Sequence, residues 1–134
     1  MENAPNNNPE ERSTPFSDEE LEYFRGIILK KREEAVNDLE MLQQSLKDST
    51  ENTSDESAYS FHMADAGTDA QEREKTYMLF NRTRKFIKYL DDALKRIDNK
   101  TYGICKVTGK AISKGRLEAV PHTQISIEAK LKRG

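Results

Sequence analysis

The feature that most constrains this chain is a heptad. Leu79, Thr83, Phe86, Leu90, Ala93 and Ile97 follow one another in steps of 4, 3, 4, 3 and 4. That spacing draws a narrow apolar seam along one side of a helix, of the kind that packs on a second helix. Phe80, Ile87 and Leu94 widen it into a stripe. Gly67 frees the backbone ahead of it, and Thr68 with Gln71 reads as a capping box. The pattern predicts a helix over 69–98, about 45 Å long. Alone, such a helix leaves its stripe in water, so the chain must supply a partner.

The partner lies between Phe16 and Asp48. Ser17 and Glu20 form a second capping box, with Phe16 placed to staple onto Leu21. Leu21, Ile28, Ala35 and Leu42 recur every seven residues, and Leu39 and Leu46 fill the other seam position toward the far end. Near the start that position holds Arg25 and Arg32, so the seam is thin there and Phe24 and Ile27 are expected to carry the packing. Two helices of similar length joined by one connector imply an antiparallel hairpin. The hairpin is expected over 17–100, with a tip loop at about 49–67. Ser, Thr, Asn and Asp dominate the loop's first half, and its second half, Ala58 to Gly67, is more apolar than a plain linker needs. From Asp48 to Glu72 there are seven acidic residues and no Lys or Arg, which makes the tip strongly negative.

The two ends differ from the hairpin. Residues 1–16 carry almost nothing apolar and are expected to form a disordered tail. Residues 101–134 form a small module whose Tyr102-Gly103, Thr108-Gly109 and Pro121 interrupt any long helix. It holds seven Lys or Arg against two Glu. Ile104, Val107, Ile112, Leu117, Val120, Ile125 and Ile127 offer a core, but one so small that it usually wants a staple. Hydrophobic and charged residues each make up 34% of the 134 residues. A compact globule shows more apolar residues, whereas a solvated hairpin needs only one stripe per helix. The single cysteine excludes a disulfide framework. No apolar run reaches membrane-spanning length and no signal peptide is visible, so a soluble, cytoplasmic protein with no membrane partner is expected. No Ser/His/Asp or Cys/His set and no phosphate loop is present, and an enzyme is not expected.

The module carries a resemblance. Tyr102-Gly103-Ile104-Cys105-Lys106-Val107-Thr108-Gly109, followed by Arg116-Leu117-Glu118-Ala119-Val120-Pro121, resembles the DksA/TraR family, as does the helix ending Ala93-Leu94-Lys95-Arg96-Ile97. The likeness covers residues 17–130. It implies a mainly α fold: a long antiparallel two-helix coiled-coil hairpin with a small zinc-finger-like C-terminal module. It also implies a bacterial regulator that inserts the hairpin into the secondary channel of RNA polymerase. The family's four zinc-ligand positions fall on Cys105, Thr108, Ser126 and Ala129, of which only the first keeps a thiol. A structural zinc site needs four soft or imidazole ligands, so the module is expected to lack metal and the protein to need no cofactor. The family's tip acid, followed two residues later by a small residue, falls on Asp65 and Gly67, with Asp69-Ala70 as the alternative register. Arg82, Arg84, Lys85 and Lys88 are candidates for polymerase contact. Positions where relatives carry basic alarmone contacts are Tyr89 and Val120 here, with Lys130 retained, so alarmone binding is not expected.

The sequence thus points to a monomeric transcription regulator acting on RNA polymerase, without specific DNA recognition. Two alternatives stay open. One is a nucleic-acid-binding module using the basic C-terminal region; the other is a generic coiled-coil adaptor.

Overall fold

The computed structural model describes residues 13–53 and 56–133, with side chains at 13–48 and 70–132. Four helices follow in order: α1 (Asp18–Thr53), α2 (Glu56–Asp98), α3 (Lys114–Ala119) and α4 (Ile127–Arg133). Among the described residues the only β pairing is one antiparallel bridge, Ile104 to Ala111. None of the described helices is long and apolar enough to cross a membrane.

The start of α1 is written in its capping box. The Ser17 backbone N–H donates to Glu20 Oε1 at 2.9 Å, and Glu20 N–H donates back to Ser17 Oγ at 3.1 Å. Two of the free amides that every helix start leaves are thereby satisfied, worth about 1 kcal/mol. The end of α2 closes as a Schellman motif: Lys100 N–H reaches the Ile97 carbonyl and Thr101 N–H the Arg96 carbonyl. That motif needs a left-handed residue, and Lys100 takes it at φ 62° without being glycine.

Three expectations change here. The helices run to Thr53 and from Glu56, so most of the segment read as a loop over 49–67 is helical. Ala58, Met63, Ala64 and Ala66 favour a helix, and the polar residues that suggested a loop do not forbid one. Gly67 and Thr68 therefore lie inside α2 rather than ahead of it. Third, the expected tail of 1–16 does not reach its full length: residues 1–12 lie outside the described part, but Thr14 and Phe16 are held. Thr14 N–H donates to the Lys100 carbonyl at 3.0 Å and its hydroxyl to the Tyr102 carbonyl at 2.7 Å. Phe16 is buried, and its ring meets Phe24 at 5.3 Å and Tyr102 at 6.5 Å, rather than simply capping α1.

The chain forms two compact units, one made by Met1–Arg32 with Lys88–Gly134, the other by Glu33–Ile87. In the first unit the helix register is legible in ion pairs. Arg25 Nη2 meets Asp98 Oδ1 at 2.7 Å and Arg32 Nε meets Asp91 Oδ1 at 2.6 Å. Seven residues forward on α1 match seven back on α2, as antiparallel pairing requires. Each pair is partly exposed and worth under about 1 kcal/mol; together they occupy the places where the apolar seam is thin. Leu21, Phe24, Ile28, Leu90, Ala93 and Ile97 are buried between the helices. Each large side chain among them contributes about 1.5–3 kcal/mol of transfer free energy.

The module shares its core with the hairpin. Tyr102 is fully buried, its ring packs tilted against Phe24 of α1 at 5.4 Å between centroids, and it donates its hydroxyl to the Pro121 carbonyl at 2.7 Å. Ile112, Leu117, Cys105, Pro121 and Ala129 join it, while Val107 and Ile127, expected in the core, are 56% and 51% exposed. The staple the small module wanted is thus the base of the hairpin. Gly103, at φ +89°, lets the chain turn directly beneath the Phe16 ring, where a Cβ would collide with it. Arg116 braces the segment before α4 by donating to the Ile125 carbonyl at 2.7 Å and to Thr123 Oγ1 at 3.3 Å.

In the second unit Ala35 is buried, whereas Leu39, Leu42, Leu46, Phe80, Thr83, Phe86 and Ile87 are half-buried and Leu79 is 45% exposed. Two helices with nothing laid over them cover a seam from one side only.

Candidate functional site

Asp65, Gly67 and Asp69, the expected tip residues, lie within the span of α2; their side chains, like that of His62, fall outside the described ones.

The basic run on α2 is divided by the helix itself. Successive residues turn by about 100°, so Arg82 and Lys85 share a flank with Lys75 and Met78. Arg84 lies on another flank with Arg73, Tyr77 and Phe80. Its guanidinium stands 5.8 Å over the Phe80 ring, which meets Tyr77 edge-on at 6.4 Å. Lys88 belongs to the first unit and pairs with Asp92 at 3.5 Å. Proximity in sequence suggested one patch; the 3.6-residue period separates it.

Cys105, Thr108, Ser126 and Ala129, the positions that the resemblance gives as ligands, lie on two segments joined by hydrogen bonds. A turn at Cys105–Lys110 is closed by Gly109 N–H to the Cys105 carbonyl and Cys105 N–H to the Lys110 carbonyl, both 2.8 Å. The opposite side is the start of α4: Ser126 N–H donates to Cys105 Sγ at 3.4 Å, and Ala129 N–H to Ser126 Oγ at 3.1 Å. Donors around the sulfur, Ser126 N–H foremost with Thr108 beside it, hold the buried Cys105 thiol down to about 6, against its burial. Hydrogen bonds thus tie together two loops in finger geometry.

A second cluster escaped the reading of the sequence. The Tyr89 and His122 rings lie parallel, 3° apart in plane and 6.0 Å between centroids. Arg96 Nη2 donates to the His122 carbonyl at 3.2 Å. Burial, then the charges of Arg96 and Lys31, hold the His122 pKa below its ordinary value. No local pattern announces a contact between residues 33 positions apart. Of the other alarmone-related positions, Val120 caps α3 and Lys130 is exposed on α4.

A hairpin of heptad helices braced by a knuckle-and-helix module defines a class: helical hairpin proteins with a C-terminal finger-like module. Residues 100–133 match the family described as the prokaryotic dksA/traR C4-type zinc finger. The chain is 33% identical over 121 residues to the RNA polymerase-binding transcription factor DksA of Caulobacter vibrioides, covering 90% of this chain and 80% of that protein. It is 27% identical over 115 residues to the factor of the same name from Haemophilus influenzae, covering 86% and 74%. Among solved structures, transcription factor DksA2 from Pseudomonas aeruginosa superposes with a TM-score of 0.72 at 31% identity, covering 84% of this chain and 81% of that one. The chain belongs to the DksA/TraR family.

That match corrects the expectation of a module without metal and a protein without cofactor. A C4-type zinc finger over 100–133 points to zinc binding at this end of the chain. The expectation rested on side-chain identity alone, whereas the backbone that brings the four positions together is retained. The donor set here is nonetheless not a four-thiolate one. Cys105 is the single cysteine, Thr108 and Ser126 carry hydroxyls, and Ala129 carries a methyl. The described residues contain no cluster of three or more His, Cys, Asp or Glu side chains.

Proposed function

We propose that this protein regulates transcription by binding RNA polymerase and placing the acidic end of its hairpin in the enzyme's secondary channel. The observation that carries this reading is the likeness along 90% of the chain to a factor named for binding RNA polymerase. It acts as a binding factor rather than an enzyme, and inside the cell. Seven acidic residues between Asp48 and Glu72, with no basic one, suit a tip that approaches a metal-containing catalytic centre. Asp65 acts there, with Asp69 taking its role if the register is shifted by one turn. Arg82 and Lys85 meet the polymerase wall from one flank, and Arg84 from another. On this reading the factor acts through the enzyme, without direct DNA recognition.

The test is competition. The full chain should bind core RNA polymerase and be displaced by an established secondary-channel binder. Binding that survives such a competitor would place the contact elsewhere. Salt-dependent affinity for duplex DNA of the isolated protein would favour the nucleic-acid alternative instead.

A further inference from the structure

The half-open seam of the second unit has a charged frame. On α1, Glu34, Asp38, Met41, Ser45 and Asp48 step 4, 3, 4 and 3, forming one stripe with three negative charges. On α2, Lys75, Met78, Arg82 and Lys85 step 3, 4 and 3, forming a stripe with three positive charges. Each stripe lies about 100° from its own seam, in the same rotational sense. In two antiparallel right-handed helices that puts both on one broad face of the unit. Met41 and Met78 stand amid the charges, 71% and 59% exposed. Among the described residues no ion pair engages Glu34, Asp38, Lys75, Arg82 or Lys85. The face therefore presents opposed charges that are not spent on each other, beside an apolar seam that is not fully covered.

We propose that this face binds a second copy of the same chain, with α1 of one protomer lying on α2 of the other. A two-fold axis parallel to the helices brings the acidic stripe of each copy over the basic stripe of its partner, with Met41 and Met78 at the centre. The other two-fold, across the helices, lays acid on acid and base on base and is disfavoured by like-charge repulsion. The favoured arrangement is isologous and closed. It makes a four-helix bundle in which every neighbour is antiparallel, and its core takes in the seam residues that two helices leave half-exposed. This dimer takes the place of the monomer expected from the sequence. It has a consequence that rests on the proposed polymerase contacts: Arg82 and Lys85 are covered in the dimer, so only the dissociated chain is free to bind the enzyme through them.

The experiment is sedimentation equilibrium of the full chain without polymerase, so that its outcome is independent of the polymerase reading. At low ionic strength the mass should double with a dissociation constant on the order of micromolar, and added salt should return it to the monomer. The pair R82E/K85E and the pair E34K/D38K should each weaken self-association about tenfold or more. Mixing the two variants should restore a dimer, because each then offers the other a complementary pair of stripes. Circular dichroism should show both variants as helical as the parent, since all four positions are exposed. A monomer at all concentrations in low salt would overturn the proposal. So would a dimer that both charge-reversed variants form unchanged, or a mixture no tighter than its components.

Discussion

At the scale of single residues, two glycines separate backbone strain from steric contact. Gly103 and Gly109 both have positive φ, 89° and 74°, so any side chain there adopts a costly left-handed backbone. At Gly109 nothing lies within 4 Å of a new Cβ, whereas at Gly103 the Phe16 ring occupies the space. Gly109→Ala should cost about 1 kcal/mol of stability from the backbone alone. Gly103→Ala should cost about 3 kcal/mol, because it also dislodges a ring from the Phe16–Phe24–Tyr102 cluster. Chemical denaturation of both variants checks the difference; equal losses would mean that Phe16 gives way freely. His122 supplies a pH dependence. Burial first, then Arg96 and Lys31, lower its folded pKa from the ordinary 6.5. As pH falls below that value the unfolded chain takes up the proton before the folded one, so stability falls toward the folded pKa. His122→Phe keeps an aromatic ring beside Tyr89 but cannot titrate. It should flatten the decline in melting temperature between about pH 7 and 5, and an unchanged slope would assign the decline to other groups.

At the scale of elements, α1 and α2 are specified in different ways along their lengths. In the first unit a buried seam, crossing ion pairs and the module act together; in the second the seam works nearly alone. Leu90 sits in the well-covered part at 0% exposure. Leu90→Asp buries a carboxylate there and should cost about 4 kcal/mol or more, lowering the melting temperature sharply. The same change at Leu79, 45% exposed, should cost far less. Parallel thermal melts of the two variants test whether burial follows this gradient.

At the scale of the whole molecule, the proposed tip mechanism makes binding and action separable. If flank residues supply affinity, the tip contributes little area and acts through charge. Only a difference in affinity between two polymerase states can shift their balance. Asp65→Asn keeps the size and removes the charge. It should bind core polymerase within about threefold of the parent, while losing most of its effect on transcription in vitro from a responsive promoter. Asp69→Asn should do less, unless the register is shifted by a turn and the two exchange roles. Regulation retained in the double variant would remove the tip mechanism.

The sequence by itself determined what depends on near neighbours. The heptad spacing announced the helices, and the Ser17–Glu20 box marked the start of α1 through bonds spanning three residues. The Cys105–Gly109 turn and the Arg116–Pro121 segment carried the family likeness. Tertiary structure decided what depends on contacts far apart in the chain. Thr14 is bonded to Tyr102 across 88 positions and Arg25 to Asp98 across 73. Through such contacts a segment read as tail became a strap, and a thin seam became an ion-paired register. The limits of α2 escape the sequence for a related reason: a polar segment is compatible with loop or helix, and its neighbours along the chain decide between them. The separation of Arg82 from Arg84 follows from the helical period once the helix is known. The pairing of Tyr89 with His122 does not, because no local periodicity encodes a stack between α2 and the loop that follows α3.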